Sequence, residues 1–205
     1  RLGRGLGDDV AEFASGALNA KDRRVVVIGG GDTAMDCVRT ARRQGAKSVT
    51  CLYRRDRANM PGSQREVAHA EEEGVAFDWL AAPKSVRAGK SPAVKAVRMQ
   101  LGPPDEGGRQ TPQEQPDSAY EVPGDLIIAA LGFDAEDLSD WTVELTRWGT
   151  VKADPLSFAT SEAGVYAAGD IVRGASLVVW AIREGRDAAD AMHAYIQSRA
   201  KVAAE

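Results

Sequence analysis

Residues 25–55 read VVVIGGGDTAMDCVRTARRQGAKSVTCLYRR, and no other stretch of the 205-residue chain constrains its fold as tightly. Val25–Ile28 is a short continuous apolar run, the pattern of a parallel strand covered on both faces. Three glycines follow. Asp32–Gln44 then places Ala34, Val38 and Ala41 on one helical face, with Arg42 and Arg43 in the last turn, where they complement the helix dipole. Gly45 supplies the stop, and Ser48–Tyr53 is the second strand. Strand, tight turn, helix and strand make one crossover unit of a parallel sheet.

Gly29, Gly31 and Ala34 satisfy G-x-G-x-x-A, with Gly30, Asp32 and Thr33 completing the turn. In this pattern the first glycine makes the turn and the second lets backbone approach a pyrophosphate. The small third residue lets helix and strand pack closely, while the helix N-terminus offers N–H donors to the phosphates. The motif alone is weak, and an ordinary tight turn is the alternative. The complete strand–turn–helix–strand context favours a dinucleotide site. An NAD site would carry Asp or Glu near residue 54 for the ribose hydroxyls. Here stand Arg54 and Arg55, which suit the extra phosphate of NADPH. The competing reading is that they are solvated surface charges, one of them satisfied by Asp56.

Further along, Pro61-Gly62 reads as a turn, and Ser63 with Glu66 as a capping box opening a helix that ends before Gly74. Val75, Phe77 and Trp79 alternate with Asp78 as a strand with one polar face. Val97–Leu101 is a strand, GPPDEGGRQTPQEQPDS a solvent hairpin or partly disordered loop, and Tyr120–Val122 the returning partner. Asp125–Leu131 is again a buried strand, and a short strand is expected near Thr150–Lys152. The last helix is expected from about Ser176 to Ser198, with Leu177, Ala181, Ala188, Met192 and Tyr195 near one face. Before it, GVYAAGD (164–170) is either a strand end presenting Gly169 and Asp170 to a cofactor or a buried turn with a capping aspartate.

The fold class is therefore α/β: a Rossmann-like parallel sheet with a β-meander or hairpin, followed by a C-terminal strand–helix portion. Residues 1–20 read as a linker, because Gly3, Gly5 and Gly7 have neither a strand before them nor a clean helix after. Residues 21–140 form the nucleotide-binding domain and 141–205 the C-terminal portion.

Net charge is −4, which argues against nucleic acid or an anionic membrane surface as the main partner. No apolar run approaches the roughly 18 residues that span a bilayer, so no membrane partner is expected. Cys37 and Cys51 are no C-x-x-C pair, and they read as buried small hydrophobes in a reduced, cytoplasmic setting. His69 and His193 lack partners at ligand spacing, and Glu71–Glu73 reads as a solvated helix end, so no metal site is expected. Trp141, Trp148 and Trp180 read as packing residues. No catalytic acid or base is assigned.

The stretches VVVIGGGDTAMDC, SVTCLYRRDRANMPGSQREVAHAEEEGV, DLIIAALGF and GVYAAGDIVRGASLVVWAIREGRDAAD together resemble the glutamate synthase small (beta) subunit family. More broadly they resemble flavoproteins of the pyridine nucleotide–disulfide-reductase type. The resemblance covers nearly everything after residue 20. It implies an NADPH domain inserted into an FAD domain, with hydride passing from NADPH to FAD. Electrons then go through iron–sulfur clusters to a large (alpha) subunit that makes glutamate. It places Gly29, Gly31, Asp32, Thr33, Ala34, Arg54 and Arg55 in the NADPH site and Ala130 and Gly132 near the crossing between domains. Gly169, Asp170, Leu177 and Val178 would touch FAD. The family's cysteine-rich iron–sulfur region and first FAD strand, with its own glycine turn, are not among these residues. The chain opens on Arg1 and reads as a piece of a longer reading frame, or as a chain whose earlier residues are not shown; by the resemblance its own FAD site is incomplete and it is expected to be inactive alone. The alternatives are a nucleotide-holding docking module without turnover and a ferredoxin–NADP reductase-like flavoprotein.

Overall fold

The computed structural model describes residues 15–16, 18–108, 110–132 and 136–202. Gly3, Gly5, Gly7 and most of the expected linker lie outside them. The chain divides into two compact units, Arg1–Leu131 and Gly132–Glu205. The first ends short of the boundary at 140 read from the sequence.

In the first unit β1 (Arg24–Ile28), β2 (Ser48–Tyr53), β3 (Ala76–Trp79) and β8 (Leu126–Ala129) form a four-stranded parallel sheet in the order β3-β2-β1-β8. Helix α1 (Asp32–Arg43) joins β1 to β2, and α2 (Gln64–Glu72) joins β2 to β3. Side chains alternate across a strand, and β1 uses both faces. Val25 and Val27 enter a core with Ala34, Met35 and Val38 of α1 and Val67 and Ala70 of α2. Val26 and Ile28 point the other way, into a second core with Leu52, Ala81, Val94 and Ala96. This is why β1 reads as an uninterrupted apolar run. Its second cover is an antiparallel sheet: β4 (Ala81–Arg87), β5 (Ala93–Pro104), β6 (Gln110–Glu114) and β7 (Tyr120–Pro123), with β5 pairing all three others.

The polar stretch after Leu101 takes the hairpin form of its two expected readings: β5 runs on to Pro104 and pairs with β6, because backbone pairing in a two-stranded ribbon needs no hydrophobic face. Several other local expectations need correction. The strand β4 was not anticipated at all, since AAPKSVR has only Ala81 fully buried. Ser63 makes no side-chain cap to α2. Glu66, its supposed capping partner, turns to Arg39 of α1 instead. Glu73 is no solvated residue either. It accepts from Arg39 Nη2 at 2.8 Å and Arg43 Nη2 at 2.7 Å, and these guanidiniums, Arg43 first, hold its carboxyl below the usual range. The polar face of β3 is likewise not aimed at water. Asp78 accepts from Tyr120 Oη at 2.5 Å and pairs with Arg98, linking the parallel sheet to β5 and β7.

The second unit has a small core of Leu138, Val143 and Val151. The strand expected at Thr150–Lys152 is only a bridge between Leu145 and Val151, because the turn Thr146–Thr150 leaves no length for a ladder. A four-residue helix α3 (Asp170–Arg173) precedes the final helix α4 (Val178–Val202). The long helix therefore starts later than expected. Gly174, at φ +84°, ends α3 and breaks the path between the two. Of the expected apolar line along α4, Ala188 is buried and Tyr195 is half-buried edge-on to Tyr166, while Leu177 and Met192 are exposed.

Candidate functional site

Beyond Ile28 the chain turns sharply between two neighbouring strands. The Gly29 N–H donates to Leu52 O at 3.1 Å, and its φ of +147° is one that side chains resist. A Cβ there would lie 2.2 Å from Ala130 O, so the ends of β1 and β8 can approach only across a glycine. At Gly30 a Cβ would meet the Tyr53 ring at 2.4 Å. Tyr53 is fixed by its hydroxyl, which donates to Asn59 O at 3.1 Å. Gly31 is different. Its backbone is extended, it caps α1, and a Cβ would meet nothing within 4 Å.

Gly31 O accepts from the Ala34 and Met35 N–H groups at 2.9 and 3.2 Å. The N–H groups of Asp32 and Thr33, both exposed, are left as the free donors of the helix end. Ala34 is fully buried against the strand, as the motif requires. The turn is also braced by a segment that sequence reasoning missed. Gly62 N–H donates to Gly30 O at 2.9 Å, and Ser63 N–H to Asp32 Oδ1 at 2.9 Å. The Pro61-Gly62 dipeptide was the available signal: glycine there lets two backbone turns touch, and a Cβ would meet Gly30 O at 3.0 Å.

Parallel pairing of Ile28 with Leu52 and with Ala129 sets Gly29–Gly31, Arg54, Arg55 and Ala130 along one carboxyl edge of the sheet. The chain proceeds from β1 to β2 and β3 on one side and reaches β8 on the other, so this edge contains a topological switch point. Arg54 is exposed and Arg55 half-buried, and no carboxylate pairs with either among the described residues. The Nε of Arg55 is buried with no hydrogen-bond partner. Asp56, the candidate neutraliser, is engaged with Asn59 N and Nδ2 at 2.9 and 2.8 Å. Both arginines line a cavity of about 430 Å3. Cys51, beneath the turn, is buried and directs Sγ to Gly29 O at 3.4 Å, and burial pushes its thiol up to about 12.

The remaining expected residues lie in the second unit. Gly132 has φ +87° and open space around it. Gly169, at φ +77°, donates its N–H to Glu184 Oε2 at 2.9 Å. Glu184 also holds Arg173, whose hydrogen bonds lower the Glu184 carboxyl from its ordinary value. Asp170 is exposed in the first turn of α3. It lines a cavity of about 770 Å3 with Thr146, Trp148, Thr150 and Gly174. Leu177 and Val178 are 60% and 71% exposed. Trp141 and Trp148 are not the packing residues expected. They too are largely exposed, Trp148 beneath the Arg147 guanidinium at 4.5 Å, because the small core ends at Val143 and Val151. Among the described residues no cluster of three His, Cys, Asp or Glu could hold a metal, and no helix is long and apolar enough to cross a membrane.

The chain is 59% identical over 201 residues to the glutamate synthase [NADPH] small chain of Azospirillum brasilense, covering 96% of this chain and 42% of that one. It is 48% identical over 189 residues to the protein of the same name in Escherichia coli K12, covering 88% and 40%. It thus spans less than half the length of these relatives. Among solved structures, a thioredoxin reductase from T. acidophilum superposes with a TM-score of 0.70 at 22% identity, over 89% of this chain and 55% of that one, which is a likeness of fold. Residues 5–185 match the family model of pyridine nucleotide-disulphide oxidoreductases. With a glycine turn at the switch point of its parallel sheet and a match over most of its length, the chain belongs to the pyridine nucleotide-disulphide oxidoreductase family.

Proposed function

We propose that this chain is the NADPH-binding, electron-input module of a glutamate synthase small chain, which accepts NADPH and directs its hydride to FAD. The observation that carries the reading is the conjunction at one sheet edge of an open Gly31 and two arginines with no carboxylate partner among the described residues. The dinucleotide fits these residues. Gly31 leaves room for a pyrophosphate, and the Asp32 and Thr33 N–H groups face it with the positive end of α1. Gly29 and Ala34 keep strand and helix close, and Gly30 keeps the turn against Tyr53. Arg54 and Arg55 hold the ribose 2′-phosphate, each charge-assisted bond contributing about 1.5–3 kcal/mol.

FAD, when bound, supplies the two-electron chemistry, so no side chain need act as acid or base. Gly169, Asp170, Leu177 and Val178 would hold the flavin. The exposed Asp170 carboxylate at its cavity is a fitting acceptor for polyol hydroxyls, and Leu177 and Val178 offer apolar surface to a ring. Ala130 and Gly132 flank Leu131, the last residue of the first unit. The partners in this reading are the iron–sulfur and remaining FAD regions of the small chain and the large (alpha) subunit, in the cytoplasm. Names and high identity of the relatives over nearly all of this chain support it.

Calorimetry tests the nucleotide assignment. NADPH should bind at least about tenfold tighter than NADH, and Arg54→Glu should shrink that gap, since one charge-assisted bond is worth about a factor of ten or more. Equal affinities in the unaltered chain would overturn the assignment.

A further inference from the structure

The arginine cavity has a second wall, and it comes from a different part of the chain. Besides Arg54, Arg55 and Ala82, it is lined by Met99, Asp105, Thr111 and Pro112, all four on the ribbon β5–β6 or in its turn. Backbone hydrogen bonds fasten that ribbon to the arginine segment. Arg55 O accepts from Leu80 N–H at 3.0 Å, and Leu80 O accepts from Met99 N–H at 2.7 Å. The ladder then carries the position across, pairing Met99 with Glu114 and Leu101 with Pro112. A register shift between Leu101 and Pro104 bends the ribbon just where Thr111 sits. Gln110 pins the bend: its Nε2 donates to Gly102 O at 3.0 Å. Thr111 is exposed and its hydroxyl makes no hydrogen bond among the described residues, so it is free to donate; the Arg55 Nε is buried and unpaired among them. Asp105 is the one carboxylate among the described residues lining the cavity, and its Oδ1 accepts from the Gly107 N–H at 3.0 Å.

We infer that the β5–β6 ribbon is the specificity wall of the nucleotide site, with the Thr111 hydroxyl donating to a phosphomonoester held by Arg54 and Arg55. The inference rests on the NADPH reading above and assigns a residue to it that no glycine or arginine motif contains. A cavity lined by two guanidiniums, a hydroxyl and a single carboxylate matches a dianionic phosphate better than an unphosphorylated ribose, which offers the guanidiniums no charge. A hydroxyl reaching from a strand also separates recognition of the extra phosphate from recognition of the pyrophosphate, which takes place at Gly31.

The test is calorimetric titration of the chain with adenosine 2′,5′-bisphosphate and with ADP as probes, together with NADPH and NADH. In the unaltered chain the 2′-phosphorylated compound of each pair should bind the tighter. Thr111→Val, which keeps shape and strand propensity, should weaken adenosine 2′,5′-bisphosphate by about tenfold, the loss of one hydrogen bond to a charged group. Thr111→Glu should weaken it further, and Thr111→Ser should restore it, with NADH affinity unchanged in all three. Unchanged adenosine 2′,5′-bisphosphate affinity in both Thr111→Val and Thr111→Glu would overturn the role of the ribbon while leaving the NADPH reading standing. Parallel losses for NADH would reduce the residue to a structural one and overturn it as well. If the unaltered chain shows no preference for the 2′-phosphorylated compounds, both readings fail together.

Discussion

Three adjacent glycines should respond to the same substitution in different ways. Gly29→Ala places a methyl 2.2 Å from a backbone carbonyl, Ala130 O, which cannot swing aside as a side chain can. Overpacking of this kind costs about 1–3 kcal/mol, and forcing alanine to φ +147° adds about 1–3 kcal/mol more. The sum, roughly 2–6 kcal/mol, is a large part of a typical domain's stability. Gly30→Ala meets a ring rather than backbone, and displacing Tyr53 forfeits its hydrogen bond to Asn59, about 1 kcal/mol beyond the packing loss. Gly31→Ala meets nothing within 4 Å and sits in extended backbone, so its cost should be only the N-cap preference for glycine over alanine, about 0.5–1 kcal/mol.

Hydrogen exchange of the β1 and β2 amides across a urea series reads the stability of this unit alone. With a slope of about 1–3 kcal/mol/M, Gly29→Ala should move the midpoint down by roughly 1 M or more and Gly31→Ala by a few tenths of a molar at most. Gly31→Val should then remain folded and lose NADPH binding, because the branched side chain fills the space kept for the pyrophosphate. Equal midpoints for Gly29→Ala and Gly31→Ala would refute the division of labour. So would a folded Gly31→Val that binds NADPH normally.

Asp125, the residue before β8, accepts from Arg24 Nη2 at 2.6 Å and from the Arg24 backbone N–H at 2.9 Å, and these bonds hold its carboxyl well below the carboxylate range. A depressed folded-state value gives stability that is present above the unfolded value of about 3.9 and is lost as pH falls through the folded one. Asp125→Asn should therefore flatten the acid limb of the stability profile below about pH 4, and an unchanged limb would count against the pairing. Cys51, buried and with its thiol pushed up to about 12, should resist a thiol reagent at pH 8 until the chain unfolds, while half-buried Cys37 should be modified in the native state. Mass spectrometry of the labelled peptides distinguishes the two. The 205-residue polypeptide purified alone should be colourless, since Gly169, Asp170, Leu177 and Val178 offer few contacts against the freedom a large ligand loses. Stoichiometric flavin in its absorption spectrum would show those residues suffice.

What the sequence by itself determined were features carried by local pattern. The apolar run 25–28, the helical spacing of Ala34, Val38 and Ala41 and the three glycines define strand, helix and turn without reference to distant residues. The arginines after Tyr53 were legible for the same reason, because their place follows from the end of β2. What only the tertiary structure decided were matters of long-range contact. Glycine is demanded at position 29 by Ala130, about a hundred residues away in the chain, and favoured at 62 by the close approach of Gly30 O. Glu66 and Glu73 turned to Arg39 rather than to a cap or to water, since a carboxylate gains more from a nearby guanidinium than from a backbone amide. The ribbon that brings Thr111 to the arginines left no hydrophobic signature, because it is built on backbone hydrogen bonds, which every residue type but proline can donate and which sequence pattern therefore does not record.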